Sequence, residues 1–166
     1  MAANPSNSAS ARAAAARILQ GWLDSGRSPE RAIEEQDSGH GAVLELVYGV
    51  VRWRRSLDWI MRRLVPRPPP LSLRAHLLTG LYELFYADHA PHAVVNETVD
   101  AAKARLGVRR AGLVNAALRR AVREQEELRR ALEQQSDGVR WSHPDILLER
   151  WRKQTGRIEV ERLCEW

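Results

Sequence analysis

Arginine is the residue type in this chain with the most chemistry to offer. Of its 26 basic residues only Lys103 and Lys153 are lysine. A planar guanidinium grips phosphate in a fork and stacks on bases, which a lysine ammonium does not do. A GC-rich genome would give the same usage with no partner behind it, so position must decide. Two segments concentrate the charge. Arg52, Arg54, Arg55, Arg62, Arg63, Arg67 and Arg74 face one acid, Asp58, and Arg105, Arg109, Arg110, Arg119, Arg120 and Arg123 have no acid between them. Each segment exceeds the net charge of the whole chain, +5. Such faces bind polyanions by releasing counterions. The alternative is a solvated helical face neutralised by acids on neighbouring helices.

Catalytic and metal-binding patterns are missing. Gly39-His40-Gly41 follows a polar turn and lacks a third glycine, so it is a helix-start loop and not a nucleotide fingerprint. There is no phosphate-binding Gly-rich loop, no Gly-x-Ser-x-Gly elbow and no His-Glu-x-x-His. His89 and His92 could approach one metal, but with no carboxylate or cysteine at metal-ligand spacing they read as loop and helix-start residues. Cys164, the single cysteine, has no base nearby in sequence and cannot form an internal disulfide, which fits a reducing cytoplasm. No catalytic residue, metal or cofactor is therefore expected in this chain. Residues 42–51, the most apolar stretch, contain Glu45 and are far shorter than a membrane span, and arginines interrupt the N-terminus too early for a signal peptide.

The elements carrying these arginines repeat their apolar residues at helical spacing, with no sustained period-two alternation, so the fold class is all-α. A first helix is predicted over residues 10–23, and Ser28-Pro29-Glu30 starts a short second one. Val43, Leu46, Val50, Trp53, Leu57, Ile60 and Leu64 predict one long helix over 41–64, stopped by four prolines in residues 66–70. Helices follow over 71–86, from Pro91 to the stop at Gly107, and over 110–123, where Val114, Leu118, Ala121 and Val122 oppose Arg109, Arg119, Arg120 and Arg123. Residues 124–135 read as a solvated helix, Ser136-Asp137-Gly138 as a turn, and Ser142-His143-Pro144-Asp145 as the start of another helix. Ile158, Leu163 and Trp166 form an apolar set without local packing partners, as in a fragment of a longer protein.

Four stretches, in order, resemble the NusB-like RNA-binding domain. They are Leu46-Val47-Tyr48-Gly49-Val50-Val51-Arg52 with Leu57-Asp58-Trp59-Ile60, then Leu81-Tyr82-Glu83-Leu84, then Pro91-His92-Ala93-Val94-Val95-Asn96-Glu97-Thr98-Val99, and finally Gly112-Leu113-Val114-Asn115-Ala116-Ala117-Leu118-Arg119. Arg52, the Leu118-Arg119 ending and Ser142-His143-Pro144 with Leu147 and Trp151 are similar to the form found at the N-terminus of Sun-type (RsmB) 16S ribosomal RNA cytosine-C5 methyltransferases. The resemblance implies a NusB-like helical bundle over residues 10–136, preceded by a disordered 1–9 and followed by 137–166 as the link into a methyltransferase region. It implies a cytoplasmic protein that positions small-subunit rRNA without catalysing. S-adenosylmethionine and the nucleophilic cysteine would belong to an absent catalytic domain, the partner on the same polypeptide. Arg12 and Arg17 on the first helix are then expected RNA contacts. Arg52, Arg54, Arg55, Arg109, Arg119, Arg120 and Arg123 are the expected phosphate ligands. Asn96, Asn115 and Glu97 read as structural, Glu97 through an arginine. A free-standing transcription antitermination factor acting with a ribosomal protein, and a helical protein-interaction module, are the competing readings.

Overall fold

The computed structural model describes residues 5–35 and 40–164, and among them every regular element is a helix. α1 (Pro5–Ser25) and α2 (Glu30–Glu34) are followed by α3 (His40–Arg52), α4 (Arg54–Leu64) and α5 (Leu71–Tyr86). Then come α6 (Pro91–Leu106), α7 (Val108–Arg123), α8 (Gln125–Glu133), α9 (Asp137–Arg140), α10 (Asp145–Thr155) and α11 (Arg157–Cys164). α1 thus begins at Pro5, inside the segment expected to be disordered; residues 1–4 and 36–39, with the turn expected at 37–39, lie outside the described residues, as does Trp166.

α5 is the axis of the bundle. It is apolar around most of its circumference, and Leu73, Leu77, Leu78, Leu81, Leu84 and Phe85 are all buried, as in a helix enclosed on every side. α1, α3, α6 and α7 surround it, and α6 and α7 also lie against each other. Pro70 and the extended Val65 bracket the stiff proline connector, so α5 starts at Leu71 as its sequence predicts. The link between α6 and α7 is a single residue, Gly107, whose φ of +83° only glycine adopts without strain. α3 meets α5 where Tyr82 lies over Gly49, and a Cβ at position 49 would clash with the ring.

The single helix expected over 41–64 is two. Trp53 leaves the helical region (φ −100°, ψ 20°), although hydrogen bonds from its N–H to Gly49 (3.0 Å) and from the Leu57 N–H to its carbonyl (2.9 Å) bridge the bend. The bend sets the indole flat on Tyr86 of α5, with centroids 4.2 Å apart and planes 12° apart. The turn expected at 136–138 continues into the one-turn helix α9. Beyond it, Leu148, Val160 and Cys164 form a second, small core with Trp141 and Trp151, separate from the main one.

Candidate nucleic-acid interface

α7 carries its charge outward. Ala111, Val114, Ala117, Leu118 and Ala121 are buried against the bundle, while Arg109, Arg110, Arg119 and Arg123 are exposed. Among the described residues Arg109, Arg110 and Arg123 make no hydrogen bond or ion pair. Arg119 spends only Nε, donating to Asn115 Oδ1 at 2.9 Å, which leaves the end of the guanidinium fork available. Arg120 is different: it is held by Glu124 (2.8 Å) and by the Leu64 carbonyl (3.2 Å), and this pairing lowers the Glu124 pKa. No acid lies on α7 itself. Beside its last turns opens a cavity of about 540 Å3 that reaches the start of α6 and is lined by Arg119, Arg123, His92 and Asn96.

The arginines of the α3–α4 junction turn the other way. Arg52 donates to the Trp141 carbonyl at 2.8 Å and its Cζ lies 4.3 Å from the centre of the Trp53 ring. Arg54 pairs with Asp58 (2.6 Å), which also binds Arg74 (2.8 Å). Arg55 donates to the His143 carbonyl and pairs with Asp145 at 2.8 Å. Ser56 donates to the Val139 carbonyl at 2.7 Å. The N-cap residue of α4, Trp53, makes no side-chain hydrogen bond to the first turn; instead the Arg55 N–H donates to Ser142 Oγ at 2.8 Å, and Ser142 has φ +57°. A residue almost ninety positions away therefore caps α4. Expected as phosphate ligands, Arg52 and Arg55 are the clamp that seats residues 139–145 on the bundle. The sequence reasoning missed this role for Ser56 and Ser142, although the matching polar residues were visible in the Ser142-His143-Pro144 stretch.

Arg12 also departs from its expected place on the RNA-facing surface. It is 8% exposed, and its guanidinium binds Glu83 of α5 twice, at 2.8 and 2.6 Å, and Glu97 of α6. The cause is helical phase, because Arg12 shares a face with the buried Ala15, Ala16 and Leu19. Arg17 falls out of that phase and is exposed. His89 completes the cluster, with Nδ1 3.1 Å from Glu83, so the histidine read as a loop residue has a carboxylate partner. Burial pushes the Glu83 carboxyl up, against the opposing pull of Arg12 and then His89. Glu97 is paired with an arginine, as its reading proposed. Burial also pushes the Cys164 thiol up, away from a nucleophile's range. Among the described residues no cluster of three or more His, Cys, Asp or Glu side chains forms a metal site, and no helix is long and apolar enough to cross a membrane.

A bundle threaded on one enclosed helix, with a cationic helix on its outside, defines a class that sequence comparison identifies. Residues 9–140 match the NusB family, and the chain belongs to that family. It is 41% identical over 128 residues to the probable ribosomal RNA small subunit methyltransferase B of Synechocystis sp., a match covering 74% of this chain and 29% of that protein. With the ribosomal RNA small subunit methyltransferase B of Escherichia fergusonii it shares 35% identity over 150 residues, covering 86% of this chain and 34% of that protein. The chain thus spans about a third of the length of these relatives. The crystal structure of the antitermination factors NusB and NusE in complex with dsRNA superposes with a TM-score of 0.62 at 23% identity, covering 69% of this chain and 95% of that one, which shows the shared all-α fold.

Proposed function

We propose that this chain is the RNA-binding domain of an S-adenosylmethionine-dependent ribosomal RNA cytosine-C5 methyltransferase. In this reading it holds small-subunit rRNA in the cytoplasm for a catalytic domain on the same polypeptide and transfers no methyl group itself. The observation that carries it is that Arg109, Arg110, Arg119 and Arg123 are all exposed on a helix with no acid of its own, Arg109, Arg119 and Arg123 on its outer side. Phosphate contacts by such a set position RNA without reading its sequence, as a domain that presents a substrate requires. The kinship to methyltransferases three times its length supplies the catalytic context. The S-adenosylmethionine site and the nucleophile belong to the remaining two-thirds of such a protein.

The test is the binding of this chain to a small-subunit rRNA fragment across a salt series. Affinity falls steeply with salt in the native chain, and replacing the four α7 arginines with glutamine flattens the log–log slope by about 3 units, a little under one per phosphate contact. An unchanged slope in that variant removes α7 as the contact face. Salt-insensitive binding, or none, removes the RNA reading.

A further inference from the structure

We propose that the cavity between the start of α6 and the end of α7 seats one unpaired base of the bound RNA, with the adjoining phosphate on Arg119 and Arg123. The inference rests on the RNA reading above and adds what α7 holds besides backbone charge.

The cavity, about 540 Å3, lies within the ordinary size range of small-ligand sites. Its lining changes character from floor to rim. Val95, buried, and Val122, half-buried, supply apolar surface from the two facing helices. His92 and Asn96, one helical turn apart on α6, are exposed and make no hydrogen bond or ion pair among the described residues, so Asn96 does not hold a helix end as its sequence reading has it. A carboxamide offers a donor pair and an acceptor side by side, the pattern that pairs with a base edge, and an imidazole offers a flat face for stacking. Arg119 and Arg123, also one turn apart, border the same space from α7.

The charge of the lining selects the ligand class. Every ionisable group there is an arginine or a histidine, and no carboxylate lines the cavity. The cavity beside Arg12, by contrast, is lined by three carboxylates, Glu45, Glu83 and Glu97, which already occupy its cations Arg12 and His89. A ligand that fills an apolar slot, presents polar edges and carries a fixed negative charge is a nucleotide. A base inside a duplex is covered on both faces by its neighbours and cannot enter, so the occupant is a bulged or loop nucleotide.

The probe is a short RNA hairpin with one bulged 2-aminopurine, compared with the same hairpin carrying an abasic bulge and with a fully paired one. The bulged base is expected to tighten binding about tenfold over the abasic form and to change its fluorescence on binding. In Asn96→Ala and His92→Ala, both at exposed positions, the tenfold preference falls toward unity while the salt slope stays. Equal affinity for the bulged and abasic hairpins, or an unchanged preference in both variants, overturns the base-seating site and leaves the RNA reading standing. Displacement of the hairpin by free adenosine monophosphate, at the concentration where unlabelled bulged hairpin displaces it, reassigns the cavity to a free nucleotide and overturns the proposal. Failure of every hairpin to bind overturns the RNA reading itself.

Discussion

The α3–α4 junction and α7 have similar arginine density in sequence and opposite uses in the fold. At the junction Arg52, Arg54 and Arg55 are bound to carbonyls and carboxylates of this same chain. On α7, Arg109, Arg110 and Arg123 face solvent with no such partner among the described residues. The difference lies in what is packed alongside. Residues 139–145 lie over the junction and bring carbonyls that need donors, whereas among the described residues no carbonyl or carboxylate takes up Arg109, Arg110 or Arg123. Density of positive charge therefore marks where arginines are, and only the neighbouring backbone tells which of them remain for a ligand.

Removing an inward arginine has the largest effect. Arg12→Ala leaves Glu83, itself 1% exposed, without its main partner, and the unfolding free energy in urea is expected to drop by about 3–5 kcal/mol. A loss below about 1 kcal/mol, the scale of a surface pair, would put Arg12 back with the solvent-facing group. Next in size is Arg52→Ala. Losing the charged hydrogen bond to the Trp141 carbonyl loosens the C-terminal helices by about 2 kcal/mol, read as faster hydrogen exchange across 141–164 with an unchanged RNA salt slope. Arg109→Gln sharpens the contrast from the other side: stability stays within about 0.5 kcal/mol while the salt slope falls by about 1. Any measurable unfolding in Arg109→Gln, or any slope change in Arg52→Ala, dissolves the distinction between the two regions.

A smaller effect tests the shared core beneath both. His76 on α5 is 1% exposed, with Nδ1 2.8 Å from the Ser72 carbonyl, and burial holds its pKa below 6.5. The folded chain then binds fewer protons than the unfolded one just below that value. Stability is accordingly expected to fall as pH drops from 6.5 and to be restored as it rises. The difference in Tm between native chain and His76→Leu, followed from neutral to mildly acid pH, checks it; parallel curves would mean that His76 titrates alike in both states.

Much of this architecture is legible in the sequence because its punctuation is strong. Pro70, Pro91 and Gly107 bound α5 and α6 at the residues where their apolar periods begin and end. The bend at Trp53 is not legible in this way, since the apolar spacing runs through it unbroken and its cause is a ring on another helix, Tyr86. The site is harder to read for the same reason. Arg12 and Arg17 differ only in phase, and the acids that capture Arg12 lie 71 and 85 residues further along. The signal that could have found it was present: Arg12 falls in step with Ala15, Ala16 and Leu19, and Arg17 does not.

That separation of 71 and 85 residues has a consequence for how the protein is made. α1 leaves the ribosome before α5 and α6, and Glu83 and Glu97 follow only several seconds later at translation rates of about 5–20 residues per second. Throughout that interval the face that will contact α5 and α6 is exposed. Its apolar surface is mostly alanine, with Ala11, Ala15 and Ala16 buried in the end beside Ile18 and Leu19, and it carries a charge in its midst at Arg12. Alanine favours helix while adding little adhesive area, and the charge discourages burial against anything that lacks paired carboxylates. The composition of α1 thus suits a segment that waits for its partners, and the pairing of Arg12 with Glu83 and Glu97 is a long-range contact that forms only once α5 and α6 have emerged.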